Sequence, residues 1–295
     1  MNGFTCTIGY GIQSETQIHN GIGYLNTTEQ LMLLETSGLR HSALYGLATS
    51  LVIHACKAAI GDGESNHDRL GILVNGGPWN LEASTNFLRR SEEAGPNYVN
   101  PLLFPATVVS AIPTASSLLF KAQAFAYSVG HDELAFFDVL RRGRQALSYD
   151  LADRVLAVAV CADSPALKTV CENVAEAKSL LNVSMAFMIS RSPSGILELI
   201  DATIDCEMPW KDIDEHYEAT LVDGKISFPR FSYLNGGMAL SATSAVICNA
   251  AINFELAKCQ QKQKTFAVSV RNSTSCGSAL FRINHPYLKK ACVGT

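Results

Sequence analysis

The sequence predicts an α/β layered fold with mixed sheets. Three observations carry that expectation. Strand and helix signals alternate along the chain, several strands are short continuous apolar runs, and 47% of the 295 residues are hydrophobic. Runs such as "RLGILVNGG" and "DRVLAVAVCAD" lack a polar face, as strands buried on both sides require. Helices must then cover both faces of the sheet. A chain of this length has ample core, as one large domain or as two halves of roughly 150 residues each.

The elements follow in order. "FTCTIGYGI" reads as a strand ending in a glycine turn. "HSALYGLATSLVIHACKAAIG" carries apolar residues at helical spacing and stops at Gly61. "RLGILVNGG" is a buried strand, and "LEASTNFLRRSEEAG" is helix-like. "NPLLFPATVVSAIPTASSLLF" has prolines before and inside a mixed helical pattern. "AQAFAYS" is a strand and "HDELAFFDVLRRGRQAL" a helix, joined by an elbow at Gly130 and His131. "DRVLAVAVCAD", "VSMAFMISR" and "ILELIDATI" are further strands. The stretch from "DCEMPWKDIDEHYEA" to "SFPRFSY" is less regular and reads as a connection between two halves, 1–205 and 206–295. "NGGMALSATSAVICNAAINFELAKC" is a long apolar helix, and "TFAVSVRNSTSCGSALFRI" is a pair of strands around a polar turn.

Composition excludes some partners. Charged residues are 17% and the formal net charge is -4, so a polyanion such as nucleic acid is not expected. A low charged fraction with high apolar content suggests a permanent subunit interface. Nine cysteines, an odd number with no C-x-x-C pair, fit buried reduced thiols better than disulfides or a zinc site. "MNGFTCTIGYGI" has no basic region followed by a long apolar run, and no apolar segment reaches the ~20 residues of a membrane span. A cytoplasmic protein without a membrane span is the expectation. No Walker A sequence, no G-x-G-x-x-G between strand and helix, and no histidine at metal-ligand spacing occurs, so neither cofactor nor metal is expected.

Two residues invite a catalytic reading. His131 stands at the elbow, where a general base could sit, but nothing beside it can attack. The plainer reading has Ser128, Asp132 and Glu133 capping the helix N-terminus. Cys161 ends a buried strand with no cation beside it, which favours an inert thiol. A stand-alone acyltransferase or hydrolase would have to use one of these two. The cluster Arg141, Arg142 and Arg144 is either a docking patch for a carrier protein or a solvated helix end.

"AGPNYVNPLLFPATVVSAIPTASSLLF", followed by "AFAYSVGHDELAFFDVLRRGRQALSYDLADRVLAVAV", resembles the N-terminal half of a β-ketoacyl synthase. In that family a Pro-x-x-x-Pro segment opens a helix, a strand leads to an Ala-Cys elbow, a helix follows, and an acidic-Arg-x-Leu strand comes next. Pro101, Pro105, Gly130, Leu134 and "ADRVLAVAV" keep that order. "NGGMALSATSAVICNAAINFELA" resembles the helix after the family's Gly-His-Thr motif, and "RNSTSCGSALF" its last glycine-rich loop and strand.

The resemblance implies a thiolase-like αβαβα fold with two related halves, the C-terminal one shortened. It also places the family's nucleophilic cysteine on Gly130, or on His131 if the register slips by one, and its Gly-His-Thr histidine on Gly237. With those positions empty, the chain resembles a chain-length factor, the non-catalytic partner of a ketosynthase. Its short second half resembles the compact ketosynthase-like subunits of bacterial aryl polyene pathways. The implied partners are a catalytic ketosynthase subunit and an acyl carrier protein bearing the acyl chain. The implied tunnel and interface residues are Trp79, Phe87, Leu88, Ile112, Phe125, Tyr127 and His131.

Overall fold

The computed structural model describes residues 4–10, 46–60, 68–75, 77, 80–130, 133–162, 164, 166–167, 169, 183–191, 197–204, 210, 213–222, 225–230, 242–258 and 263–284. The first half contains β1 (Phe4–Tyr10), α1 (Gly46–Ile60), β2 (Leu70–Asn75), α2 (Leu81–Ala94), α3 (Ala111–Phe120), β3 (Phe125–Val129), α4 (Ala135–Ser148), β4 (Arg154–Cys161) and β5 (Val183–Ser190). Two 3-10 segments, Pro96–Tyr98 and Pro101–Thr107, join α2 to α3. The second half contains β6 (Leu197–Ile204), β7 (Glu215–Val222), β8 (Lys225–Ser227), α5 (Thr243–Lys258), β9 (Gln263–Arg271) and β10 (Cys276–Asn284).

The strands lie in the order β3-β2-β4-β5-β1-β6-β10-β9-β7-β8. Split between β1 and β6, both halves read the same way. Each places its third strand outermost, then its second, fourth, fifth and first. The seam is narrow, with Phe4 opposite Leu199 and Thr5 opposite Glu198. The halves differ at the outer strand. β3 runs parallel to β2, whereas β8 runs antiparallel to β7. A parallel neighbour needs a crossover, and residues 76–124 supply it in the first half. Residues 223–224 alone separate β7 from β8, which permits only the antiparallel return. Residues 205–214 between β6 and β7 are likewise too few for a counterpart of α1. The second half is therefore short at both of these connections, and in the strand order it begins with β6, before the 205/206 boundary read from the sequence.

The apolar runs of the first half divide between two cores, and a smaller cluster of Ile200, Ala267 and Leu280 lies on the second half. On β4, Leu156, Val158 and Val160 join a cluster with α1, while Val155, Ala157, Ala159 and Cys161 join the cluster around α4. α4 packs against β2, β3, β4 and β5 of the first half and against β6 and β10 of the second. Phe136 meets Phe187 of β5 edge-on at 5.0 Å between ring centroids. The next residue, Phe137, faces β10. A Cβ placed on Gly277 would lie 2.4 Å from its ring, so this contact exists only because residue 277 has no side chain. Arg144 of α4 reaches Asp201 of β6 at 2.9 Å, a half-buried ion pair between the halves.

The stretch read as an irregular connection contains β7 and β8. Tyr217, Ala219 and Leu221 are buried and alternate with exposed His216, Glu218 and Thr220. That is a period-two strand pattern, obscured in the sequence by its carboxylates and by Pro209. The two strands around a polar turn near the C-terminus are present as β9 and β10 in continuous register.

Gly277→Ala should lower the urea midpoint by an amount equivalent to about 1–3 kcal/mol, since the added methyl overpacks against Phe137. Adding Phe137→Leu should recover part of the loss. Equal stability of Gly277→Ala and the parent would place no tight contact there.

Candidate functional site

β3 ends at Val129 and turns through Gly130 into the approach to α4. Gly130 has φ +67°, a left-handed conformation that L side chains rarely adopt. A Cβ built there would lie 2.8 Å from the Ala135 Cβ and 3.1 Å from its Cα. A side chain at position 130 would therefore be strained by the backbone and would require Ala135 to shift. The family resemblance equates this position with a nucleophilic cysteine, and a cysteine here would meet both costs. Trp79, His131 and Gly237 lie outside the described residues.

Two features hold the elbow. Asn75, at the end of β2 and opposite Val129 in register, is fully buried. Its Oδ1 accepts a hydrogen bond from the Val160 N–H at 2.8 Å, replacing a ladder bond where β2 stops. The backbone N–H of Ser244, in the first turn of α5, donates to the Glu133 carbonyl at 3.2 Å. The two central helices are thus joined at their N-terminal ends. The turn from β9 to β10 is drawn in by Asn272. Its Oδ1 accepts from the backbone N–H of Thr274 at 3.0 Å and of Ser275 at 2.7 Å, and Asn272 N–H donates to the Ser275 carbonyl.

Ser128 does not cap α4. Its hydroxyl donates to the Val109 carbonyl at 2.8 Å. Side chains alternate along a strand, so Ser128 points away from Val129 and from the face α4 covers, and instead ties β3 to the segment before α3. The arginine cluster is not a freely solvated helix end either. Arg141 and Arg142 both bond Asp138, Arg142 at 2.8 Å, and Arg144 is engaged by Asp201. The Asp138 hydrogen bond raises the Arg142 guanidinium above its ordinary pKa, with a smaller contribution from nearby Tyr127.

Cys161 is buried at the end of β4 within the α4 cluster. Burial pushes the Cys56 thiol in α1 far above the ordinary range, so it stays protonated and inert. Among the described residues, no group of three His, Cys, Asp or Glu side chains is placed to hold a metal ion. Among them also, no single helix is long and apolar enough to cross a membrane.

The other predicted residues fall on the crossover between β2 and β3. β3 is an edge strand, with nothing bonded to its outer side among the described strands. Phe125 rests on Gly71 of β2 and packs against Tyr127 at 5.6 Å, and Tyr127 is 39% exposed. α2 buries none of its side chains fully. Phe87 meets Phe104 edge-on at 6.0 Å, and Leu88 is 61% exposed. Tyr98, Leu102, Phe104, Val109 and Leu118 extend this exposed apolar surface. Ile112 differs from them, because it is buried in the α1 core. The crossover is held in place by polar anchors: Glu82 accepts from the Ala166 N–H at 3.0 Å, and Ser84 donates to the Thr107 carbonyl at 3.1 Å. These anchors are not legible in the sequence, because their partners lie 23 and 84 residues away.

No family model and no curated protein sequence matches the chain. Solved structures do. The ishigamide ketosynthase/chain length factor superposes with a TM-score of 0.75 at 12% identity, covering 95% of this chain and 100% of that one. A chain of a type II polyketide synthase acyl-carrier protein complex with its ketosynthase gives 0.64 at 14% identity, covering 97% and 100%. Ketosynthase twelve of the bacillaene polyketide synthase of Bacillus amyloliquefaciens gives 0.62 at 10% identity, covering 97% and 75%. At such low identity the likeness speaks to architecture, and it agrees with the duplicated strand order: the chain has the α/β, thiolase-like fold of the ketosynthase and chain-length-factor structures.

Proposed function

We propose that this chain is a non-catalytic, chain-length-factor-like subunit of the cytoplasm. It pairs with an active ketosynthase and forms part of the wall of the acyl tunnel while a polyketide, polyene or fatty-acid-like chain is extended on an acyl carrier protein. The observation that carries the proposal is the closed elbow: a Cβ at position 130 would stand 2.8 Å from Ala135. Decarboxylative condensation on this fold needs a thiolate there to hold the acyl group as a thioester. With that position shut, the elements around it serve another purpose, and the surface indicates which. An unpaired edge strand invites pairing with another sheet, and natural proteins cover such edges. Here the edge is flanked by a crossover that exposes Leu88, Tyr98, Leu102, Phe104, Val109 and Leu118. A second subunit pairing along β3 would satisfy both. The compact aryl-polyene-type reading rests on the resemblance of the short second half to such subunits.

A stand-alone hydrolase or acyltransferase would leave the β3 edge and the crossover unexplained. Among its two nucleophile or base candidates, Cys161 is sealed in the core.

Purified alone, the chain should show no condensing activity, and co-expression with its ketosynthase should give a soluble, active complex. Condensation by the isolated chain would end the proposal. Gly130→Ala should destabilise the protein by about 2–4 kcal/mol, from the left-handed backbone and the Ala135 contact together. Thermal or urea unfolding measures it, and a neutral result would mean the elbow is open. In the active complex, Phe87→Ala should lengthen the products if residue 87 lines the tunnel, read by mass spectrometry of released chains. Ile112→Ala is a second test, but the core site of Ile112 adds a cavity cost of about 2–5 kcal/mol.

A further inference from the structure

Arg141 and Arg142 share a single carboxylate, Asp138, which is nearly buried in α4. Two guanidinium groups against one carboxylate leave one positive charge uncompensated among the described residues. Its position is specific. α4 packs against β3, and the Arg142 guanidinium lies within electrostatic range of Tyr127, the middle residue of that five-residue edge strand. The side chains of Arg142 and Arg141 are 45% and 35% exposed. The uncompensated charge therefore sits beside the centre of the edge that the proposed pairing would cover.

Antiparallel pairing of two identical edge strands places a two-fold axis near the strand centre. Each protomer would bring its own Asp138, Arg141 and Arg142 to that axis. Two like charges would then face one another as water is excluded, and like-charge juxtaposition at an interface strongly disfavours the wrong partner. Covering the cluster with a group that accepts hydrogen bonds and carries negative charge has the opposite effect.

We propose that this arginine pair selects a non-identical thiolase-fold subunit, one that presents an aspartate or glutamate opposite Arg142, and disfavours pairing of the chain with itself. The proposal rests on pairing through β3 as described above, and it adds the chemistry by which the partner is chosen.

Two measurements test it. In sedimentation velocity at about 20 mM salt, the isolated chain should self-associate at least about tenfold more weakly than Arg142→Gln, which removes the excess charge. The difference should shrink at about 500 mM salt, where exposed charges are screened. A stable parent homodimer at low salt, or no difference between parent and variant, overturns the selection against self. The second measurement uses Arg142→Lys in the complex co-purified with the ketosynthase, treated with a carbodiimide that joins amines to carboxylates. Peptide mass spectrometry should find position 142 linked to an Asp or Glu of the other subunit. A link confined to Asp138, or a link to carrier protein, overturns the acidic-partner assignment. Ala126→Pro, which blocks the β3 edge, keeps the two ideas apart. If it leaves the complex intact, pairing through β3 itself is wrong; if it abolishes the complex while Arg142→Gln changes nothing, only the charge selection is wrong.

Discussion

The structure depends on one constraint: a single helix, α4, is gripped on two sides by the two half-sheets. Phe136 is pressed against β5 and Phe137 against β10, with the Phe137 contact possible only over Gly277. Arg144 adds an ion pair to β6. The seam between β1 and β6 is short, so α4 and the cores on its two faces unite the halves. Burial of this kind, at roughly 25 cal/mol per Å² of apolar surface, outweighs the contribution of the few ion pairs.

The closed elbow follows from that grip. With α4 fixed by both sheets, its first turn cannot retreat from the end of β3. Ala135 then occupies the space beside Gly130 that a side chain would need. Asn75 and the contact from Ser244 to Glu133 fix the same corner from the other side. The absence of a side chain at residue 130 is thus set by the packing as well as by the sequence. Restoring a cysteine there would meet a filled space and a left-handed backbone.

Much of the fold could be read from the sequence, because continuous apolar runs specify doubly buried strands whatever their partners. β2, β4, β5 and the β9–β10 pair were all evident in this way. β7 was not, since Glu215, His216 and Glu218 gave its sequence a loop-like polarity, and only the burial of Tyr217 and Ala219 reveals the alternation. That Gly130 stands where the family has its nucleophile is implied by the order of motifs. The steric closure around it was not legible, because that depends on a distance between residues 130 and 135 that φ sets. Ser128 and Arg144 were misjudged for a related reason. Local sequence suggested a cap and a solvated helix end, while their partners Val109 and Asp201 are 19 and 57 residues away.

The central claim is that this subunit shapes a reaction whose covalent chemistry occurs on another chain. The most direct measurement is intact mass spectrometry of the co-purified complex after exposure to an acyl-thioester donor. The account predicts an acyl adduct on the partner subunit and an unchanged mass for this chain. A stoichiometric acyl adduct on this chain would contradict it.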